Sequence, residues 1–439
     1  MSRLRILVLA PDTNPESITG PLLSFRQAEA LARLHDVTLA IRTTGEGAVR
    51  RAQGPFRAIE VVRMPLIERI YAWSFRRIFK NDYRSQALTA FGYPLSIAFE
   101  WNAWRQLRQR IRCGEFDIVL RLLPIVSVLP SPFAFFLRKG PIPFVIGPLN
   151  GGLPWPAGFS QADNQREWVS GLRNLYRFLP FARATYDNAA AIVAGSSQTY
   201  AEFAQHREKL FFLPENGVAR SLCYEVVRRP QRNRRLELIF AGSLVPYKAC
   251  DLALRAAAPL LRSNLAHFAV LGDGPELKRL EQLTRYLGIE KSVSFCGPLS
   301  HAEAMQRMRS VDVLLFPSVR EFGGAVVFEA LAVGAVPVVA DFGGPGDIVN
   351  PQVGYKVPLI NERDMVLRME IILADLALNR HRLEPLRQQG MSYAREFLTW
   401  EGKAQTLTAI MQWVLRQGPK PDLPPPKVLH SNQFSLSRR

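Results

Sequence analysis

The opening of the chain alternates between two kinds of apolar pattern. Arg5 to Leu9 is a short β-branched and Leu-rich run that stops at Pro11 and Asp12, and a helical spacing of apolar positions follows from Leu22 to Leu34. Val37 to Ile41 supplies a second predicted strand, Asp117 to Leu122 and Phe144 to Ile146 later ones, and Ala190 to Ala194 another before the polar turn Gly195-Ser196-Ser197. Strands alternating with helices predict a parallel sheet. Around Glu225 to Arg235 the pattern lapses into a basic, polar run that cannot bury a face, so a domain boundary is placed there.

A second βα series then begins at Leu236 to Phe240, with strands predicted at Phe268 to Leu271, Val293 to Phe295, Val313 to Phe316 and Val336 to Ala340. Ser300 and Glu303 match a capping box, and Gly288 and Gly334 stand where left-handed caps close helices. Arg387 to Leu415 is helical in pattern with Trp400 and Trp413, and a proline-rich polar stretch follows. The expected organisation is a first Rossmann-like domain over 1–225 and a second over 236–385. Helices over 386–417 are expected to cross back to the first domain, with a disordered tail over 418–439.

Composition narrows the class. With 439 residues, 48% hydrophobic and 21% charged, the chain has material for two large α/β domains. A formal charge of +18, spread along the chain and carried mainly by arginine, favours anionic partners: phosphate-bearing substrates, an anionic membrane face or nucleic acid. It is equally what a solvated surface shows. Cys113, Cys223, Cys250 and Cys296 lie far apart without metal-ligand spacing, so neither zinc nor a disulfide framework is indicated. The apolar run near Met1 is too short for a signal peptide, which gives a cytoplasmic expectation. Leu122 to Leu137, the most apolar stretch, holds Pro124, Pro130 and Pro132 and reads as buried strand and loop instead of a spanning helix.

Two stretches carry chemistry. In Phe240 to Lys248 a strand runs into the Gly242-Ser243 turn, with Lys248 at the opening of the next helix. Ligands sit at such strand ends, and a lysine beside free N–H groups at a helix start suits a diphosphate. In Ser318 to Glu329 a strand ends at Pro317 and a helix starts near Gly324. Glu321 falls in the loop, while Glu329 sits two turns on among Val326, Val327, Phe328, Ala330 and Leu331, where a carboxylate needs a hydrogen-bonding partner. Ribose hydroxyls would be such a partner. Taken singly, each residue is also what a solvated loop lysine, a surface glutamate or the polar stripe of an amphipathic helix would be.

The Glu321-to-Glu329 spacing joins Gly272-Asp273-Gly274-Pro275, Gly334 to Ala340 and Gly343-Gly344-Pro345-Gly346-Asp347. With these, Leu236 to Leu359 closely resembles the retaining glycosyltransferases of family 4. The resemblance implies an α/β GT-B fold: two facing Rossmann-like domains with a nucleotide-sugar site in the cleft between them. It implies Glu321 near the reacting carbon, backbone contacts from Phe322, Gly323 and Gly324, Glu329 on the ribose and Lys248 on the diphosphate, with Gly242 and Ser243 in the same turn. A UDP- or GDP-linked sugar would be the donor, with no cofactor and no metal.

Three positions depart from the family pattern. Ser243 stands where the family usually has arginine, with Arg320 or an arginine of the first domain in its stead. Asp347 stands where glutamate is common, and Asn150 falls in the place of an N-domain histidine. The first half matches more loosely, in Gly20 of the first βα loop and in Pro214 to Val218, and by resemblance binds the acceptor. Ile67 to Lys80 interleaves arginines with aromatic and aliphatic residues as an interfacial helix would. These readings imply a saccharide or lipid-linked acceptor, a peripheral contact at the inner face of the plasma membrane and a place in bacterial surface or exopolysaccharide biosynthesis. A nicotinamide-dependent oxidoreductase would need a GxGxxG turn where Leu9-Ala10-Pro11-Asp12 stands. A non-catalytic, glycosyltransferase-like binding protein is the other alternative. No nucleic-acid-binding motif is present.

Overall fold

The computed structural model describes residues 3–17, 20–79, 87–122, 130–150, 153, 156, 159, 179–223 and 235–423. The charged run at 224–234 and the segment from 424 onward lie outside the described residues. The chain divides into two compact units: Met1–Gly152, Arg166–Glu215 and Trp400–Pro425 form the first, and Leu153–Gln165, Asn216–Thr399 and Pro426–Arg439 the second.

The first unit holds a seven-stranded sheet in the order β3-β2-β1-β4-β5-β6-β7. Its strands are β1 (Arg5–Leu9), β2 (Asp36–Arg42), β3 (Ala58–Val62), β4 (Ile118–Arg121), β5 (Phe144–Leu149), β6 (Ala191–Ala194) and β7 (Leu210–Phe212), all pairing in parallel. Successive side chains point to opposite faces, and both faces are covered, so the strands read as continuous apolar runs. Ile6, Val8, Leu39 and Ile41 thus enter one core, whereas Leu7, Leu9 and Ala40 enter the other with Phe133 and Ile146.

The face of Ile6 and Val8 is closed by the helix Trp400–Val414. Trp400, Ala404, Leu407, Ile410 and Met411 recur on its buried side. Lys403 on the same helix is fully buried, donates to Pro214 O, and is pushed down to about 7 by burial. The preceding helix Leu383–Tyr393 packs in the second unit, where Gly390 lies against Leu331.

The second unit holds six parallel strands in the order β10-β9-β8-β11-β12-β13. These are β8 (Leu236–Ala241), β9 (Ala266–Leu271), β10 (Val293–Gly297), β11 (Val313–Phe316), β12 (Val336–Ala340) and β13 (Tyr355–Val357). Its division from the first unit falls between Glu215 and Asn216, upstream of the basic run. Val218 explains this, because its N–H donates to Leu398 O at 2.9 Å and ties the segment to the second unit.

Other differences from the sequence reading have local causes. Pro132–Leu137 is a helix, not strand or loop: Pro132 takes its first turn, where a missing N–H costs nothing. Lys248 lies in a single 3-10 turn, and the helix itself begins at Cys250. The strands β3, β7 and β13 carry no prediction: β7 and β13 are three residues long, and β3 is a half-exposed edge strand with Glu60 at its centre. Among the described residues no helix is long and apolar enough to cross a membrane.

Candidate active site

Three loops meet at the C-terminal ends of β8, β9 and β11. Gly242 N–H donates to Leu271 O and Leu244 N–H to Asp273 O, at 3.0 and 2.9 Å, so the loops after β8 and β9 lie backbone against backbone. Gly272 has φ 126°, and a Cβ there would stand 2.0 Å from Gly242 O; only glycine fits both the angle and the space. The loop after β11 is tied to the first by Val319 N–H and Ser318 Oγ, both donating to Tyr247 O at 2.9 and 3.2 Å.

That clamp brings Lys248 to Glu321. The Lys248 ammonium donates to Glu321 Oε2, both side chains being only 16% exposed, and it sits 5.0 Å from the Phe316 ring centroid. The other carboxylate oxygen accepts Gly324 N–H at 3.2 Å. Gly324, at φ 61°, precedes the helix Ala325–Val333, so Glu321 is held at a helix N-terminus where anions are favoured. From the next loop Gly344 N–H donates to Glu321 O at 3.1 Å, and a Cβ on Gly344 would stand 2.3 Å from Phe322 O. The backbone of Phe322 and Gly323 therefore packs directly against Gly344.

Glu329, partly buried on that helix, lies with Oε1 2.9 Å from His301 Nε2. The bond raises the His301 pKa above its ordinary value, against the opposing effect of desolvation. His301 is absent from the sequence-derived site. The available signal was the Ser300–Glu303 capping box, which sets His301 at the first helical position after β10.

In the second unit Lys248, Glu321 and Gly324 are in direct contact, with Gly242 and Ser243 on the first loop and Arg320, Phe322 and Gly323 on the third, while Glu329 pairs with His301 on the neighbouring helices. Ser243 is exposed in its turn and Arg320 is half-buried beside Glu321. The two remaining candidates belong to the first unit. Gly20 opens the helix Gly20–Leu34, and Asn150 follows β5. Asn150 is 5% exposed, and among the described residues neither its amide oxygen nor its amide nitrogen has a hydrogen-bond partner. Among the described residues no group of three or more His, Cys, Asp or Glu side chains is placed to hold a metal ion.

A solvent-accessible cation paired with a carboxylate, at strand ends and a helix N-terminus, can exchange that partner for a phosphate. Residues 227–389 match the family model of glycosyl transferases group 1. A D-inositol 3-phosphate glycosyltransferase of Geodermatophilus obscurus is 36% identical over 183 residues, 39% of this chain and 39% of that protein. An uncharacterized glycosyltransferase of Methanocaldococcus jannaschii is 32% identical over 116 residues, 26% of this chain and 30% of that protein. The chain therefore spans well under half the length of these curated relatives. Anabaena Alr3699/HepE, crystallised in complex with UDP, superposes with a TM-score of 0.58 at 14% identity, covering 92% of this chain and 98% of that one. With its two parallel-sheet α/β units, the chain has the GT-B fold. The family match, the relatives and the fold support a glycosyltransferase.

Proposed function

We propose that this protein moves a sugar from a UDP- or GDP-linked donor to a glycan or lipid-linked saccharide, with retention of anomeric configuration and without a metal. The observation that carries the reading is the Lys248–Glu321 pair, closed across two loops beside the N–H of Gly324. When a diphosphate arrives, Lys248 turns from Glu321 to the leaving group, a positioned cation where negative charge develops in the transition state. Glu321 is then released to face the sugar, Glu329 takes the ribose, and backbone groups of Gly242, Phe322, Gly323 and Gly324 line the donor. Arg320 supplies further positive charge beside Ser243. Asn150 offers to sugar hydroxyls an amide without a partner among the described residues, and Gly20 opens a helix on the acceptor side.

The same reading places the enzyme at the inner face of a bacterial plasma membrane, in surface polysaccharide assembly. On the helix Pro65–Phe79, Leu66, Ile70 and Trp73 are 73%, 65% and 62% exposed at helical spacing, with Arg63 and Arg69 close by. An apolar stripe beside basic residues suits an anionic lipid surface.

The first test is calorimetric titration of the purified protein with UDP, GDP, ADP and their sugar conjugates without added metal. UDP or GDP is expected to bind, and Lys248→Ala to weaken that binding by about 10- to 100-fold, the loss of a charge-assisted contact to phosphate. No binding to any nucleotide would make the protein a non-catalytic relative. Product anomer analysis by NMR tests retention, and sedimentation with anionic vesicles tests membrane contact.

A further inference from the structure

Glu329 has a partner of its own on the neighbouring helix. Ser300 caps the helix His301–Ser310, its hydroxyl accepting Glu303 N–H while the Glu303 carboxylate returns to Ser300 N–H. This box fixes the start of the helix and sets His301 at its first position, mostly exposed, with Nε2 2.9 Å from Glu329 Oε1. Among the charged groups nearby, Glu329 is the one acidic or basic residue of the helix Ala325–Val333. On β8, Glu237 is engaged by His267, and on the histidine's own helix Glu303 closes the capping box. Glu329 is therefore the carboxylate that His301 serves. The bond to Glu329 shifts the imidazole toward its charged form, against the opposing effect of desolvation.

We propose that His301 is a positioning residue for the nucleotide: by donating to Oε1 it locks the Glu329 side chain and leaves Oε2 to accept the ribose hydroxyls. The inference rests on the reading of Glu329 as the ribose partner. A carboxylate has about four acceptor positions, so Oε1 keeps its bond to His301 when a diol engages the other oxygen. A partly exposed glutamate without that bond would have to be ordered at the moment of binding.

Calorimetry on the full-length protein with UDP and GDP, from pH 6 to pH 9, tests this. His301→Ala is expected to weaken binding about three- to tenfold, the loss of one orienting hydrogen bond and its ordering effect. His301→Gln, whose amide N–H can still donate, is expected to recover most of the affinity. The ratio of wild-type to His301→Gln affinity should stay close to constant from pH 6 to pH 9, because the neutral imidazole still has one N–H to donate from Nε2. On the 2′,3′-dideoxy diphosphates the alanine penalty should vanish, an outcome a merely structural histidine would not give. Equal affinity of wild type and His301→Ala, or an equal penalty on ribose and dideoxyribose ligands, overturns the inference. If Glu329→Ala also binds normally, or neither nucleotide binds the wild type, the underlying reading of Glu329 fails instead.

Discussion

The strand ends of the two units handle polar groups in opposite ways. In the second unit Lys248 and Glu321 pair across two loops bonded to one another, and His301 and Glu329 pair between two helices, both within reach of solvent. In the first, β4 ends in Arg121, only 1% exposed, held 2.7 Å from Glu100, which is 2% exposed and takes Ser131 Oγ on its other oxygen. Burial pushes the Glu100 pKa up, with Arg121 as the leading opposing influence. One strand further, Asn150 is buried with its amide unpaired among the described residues. The contrast separates charges that can trade partners from charges that cannot. On the proposed reading the Lys248–Glu321 pair is the one an anionic ligand opens, whereas a fully enclosed pair is a structural tie.

Four experiments press on that distinction. The largest effect is expected at Glu321: Glu321→Gln should lower kcat by about 10³-fold or more while nucleotide affinity changes by less than about threefold, the mark of a group that acts in the transition state. Wild-type turnover would remove it from the site. Glu100→Ala should leave nucleotide binding intact but destabilise the first unit by about 3–5 kcal/mol, read by urea unfolding, because Arg121 is left as an uncompensated buried charge.

Lys403 gives a pH test in the same unit. Its folded value of about 7 lies below the unfolded lysine value of about 10.4, so between these the unfolded chain holds the extra proton. Stability should therefore rise with pH across that window, with this residue contributing a slope of up to ~1.4 kcal/mol per pH unit that Lys403→Met abolishes. The smallest effect is expected from Asn150→Ala, a fall of about threefold to tenfold in kcat/KM with donor binding preserved, since a hydrogen bond to a neutral hydroxyl is worth roughly 1 kcal/mol. A large loss of donor affinity instead would move Asn150 into the nucleotide site.

Much of this was legible in the chain because local rules suffice for it. β1, β2, β4 to β6, β8, β9, β11 and β12 are largely buried and announce themselves as apolar runs, and the edge strand β10 shows only the short run Val293 to Phe295. Gly242, Gly272 and Gly324 announce strand-end loops where backbone must approach backbone, and those of Gly242 and Gly324 carry Lys248 and Glu321. What stayed hidden depends on contacts far apart in sequence. Lys248 and Glu321 are 73 residues apart, and the sequence reading assigned the lysine to phosphate with no hint that the carboxylate holds it meanwhile. His301 and Glu329 are separated by 28 residues with no spacing rule that links them. The prolines near Pro132 argued against a helix because proline breaks helix interiors, but it is well accommodated in a first turn.

The helix Trp400–Val414 also sets an order of assembly during synthesis. Leu31, Leu39 and Ile41 belong to the core that this helix completes, so that face of the first sheet lies open until the residues beyond Thr399 have left the ribosome. The second unit has meanwhile received all its strands, over an interval of roughly 10–40 s between Asn216 and Thr399 at common elongation rates. The half made first is thus the half finished last. A chain cut just before Trp400 should deliver a folded second unit tethered to a sticky, chaperone-dependent first one.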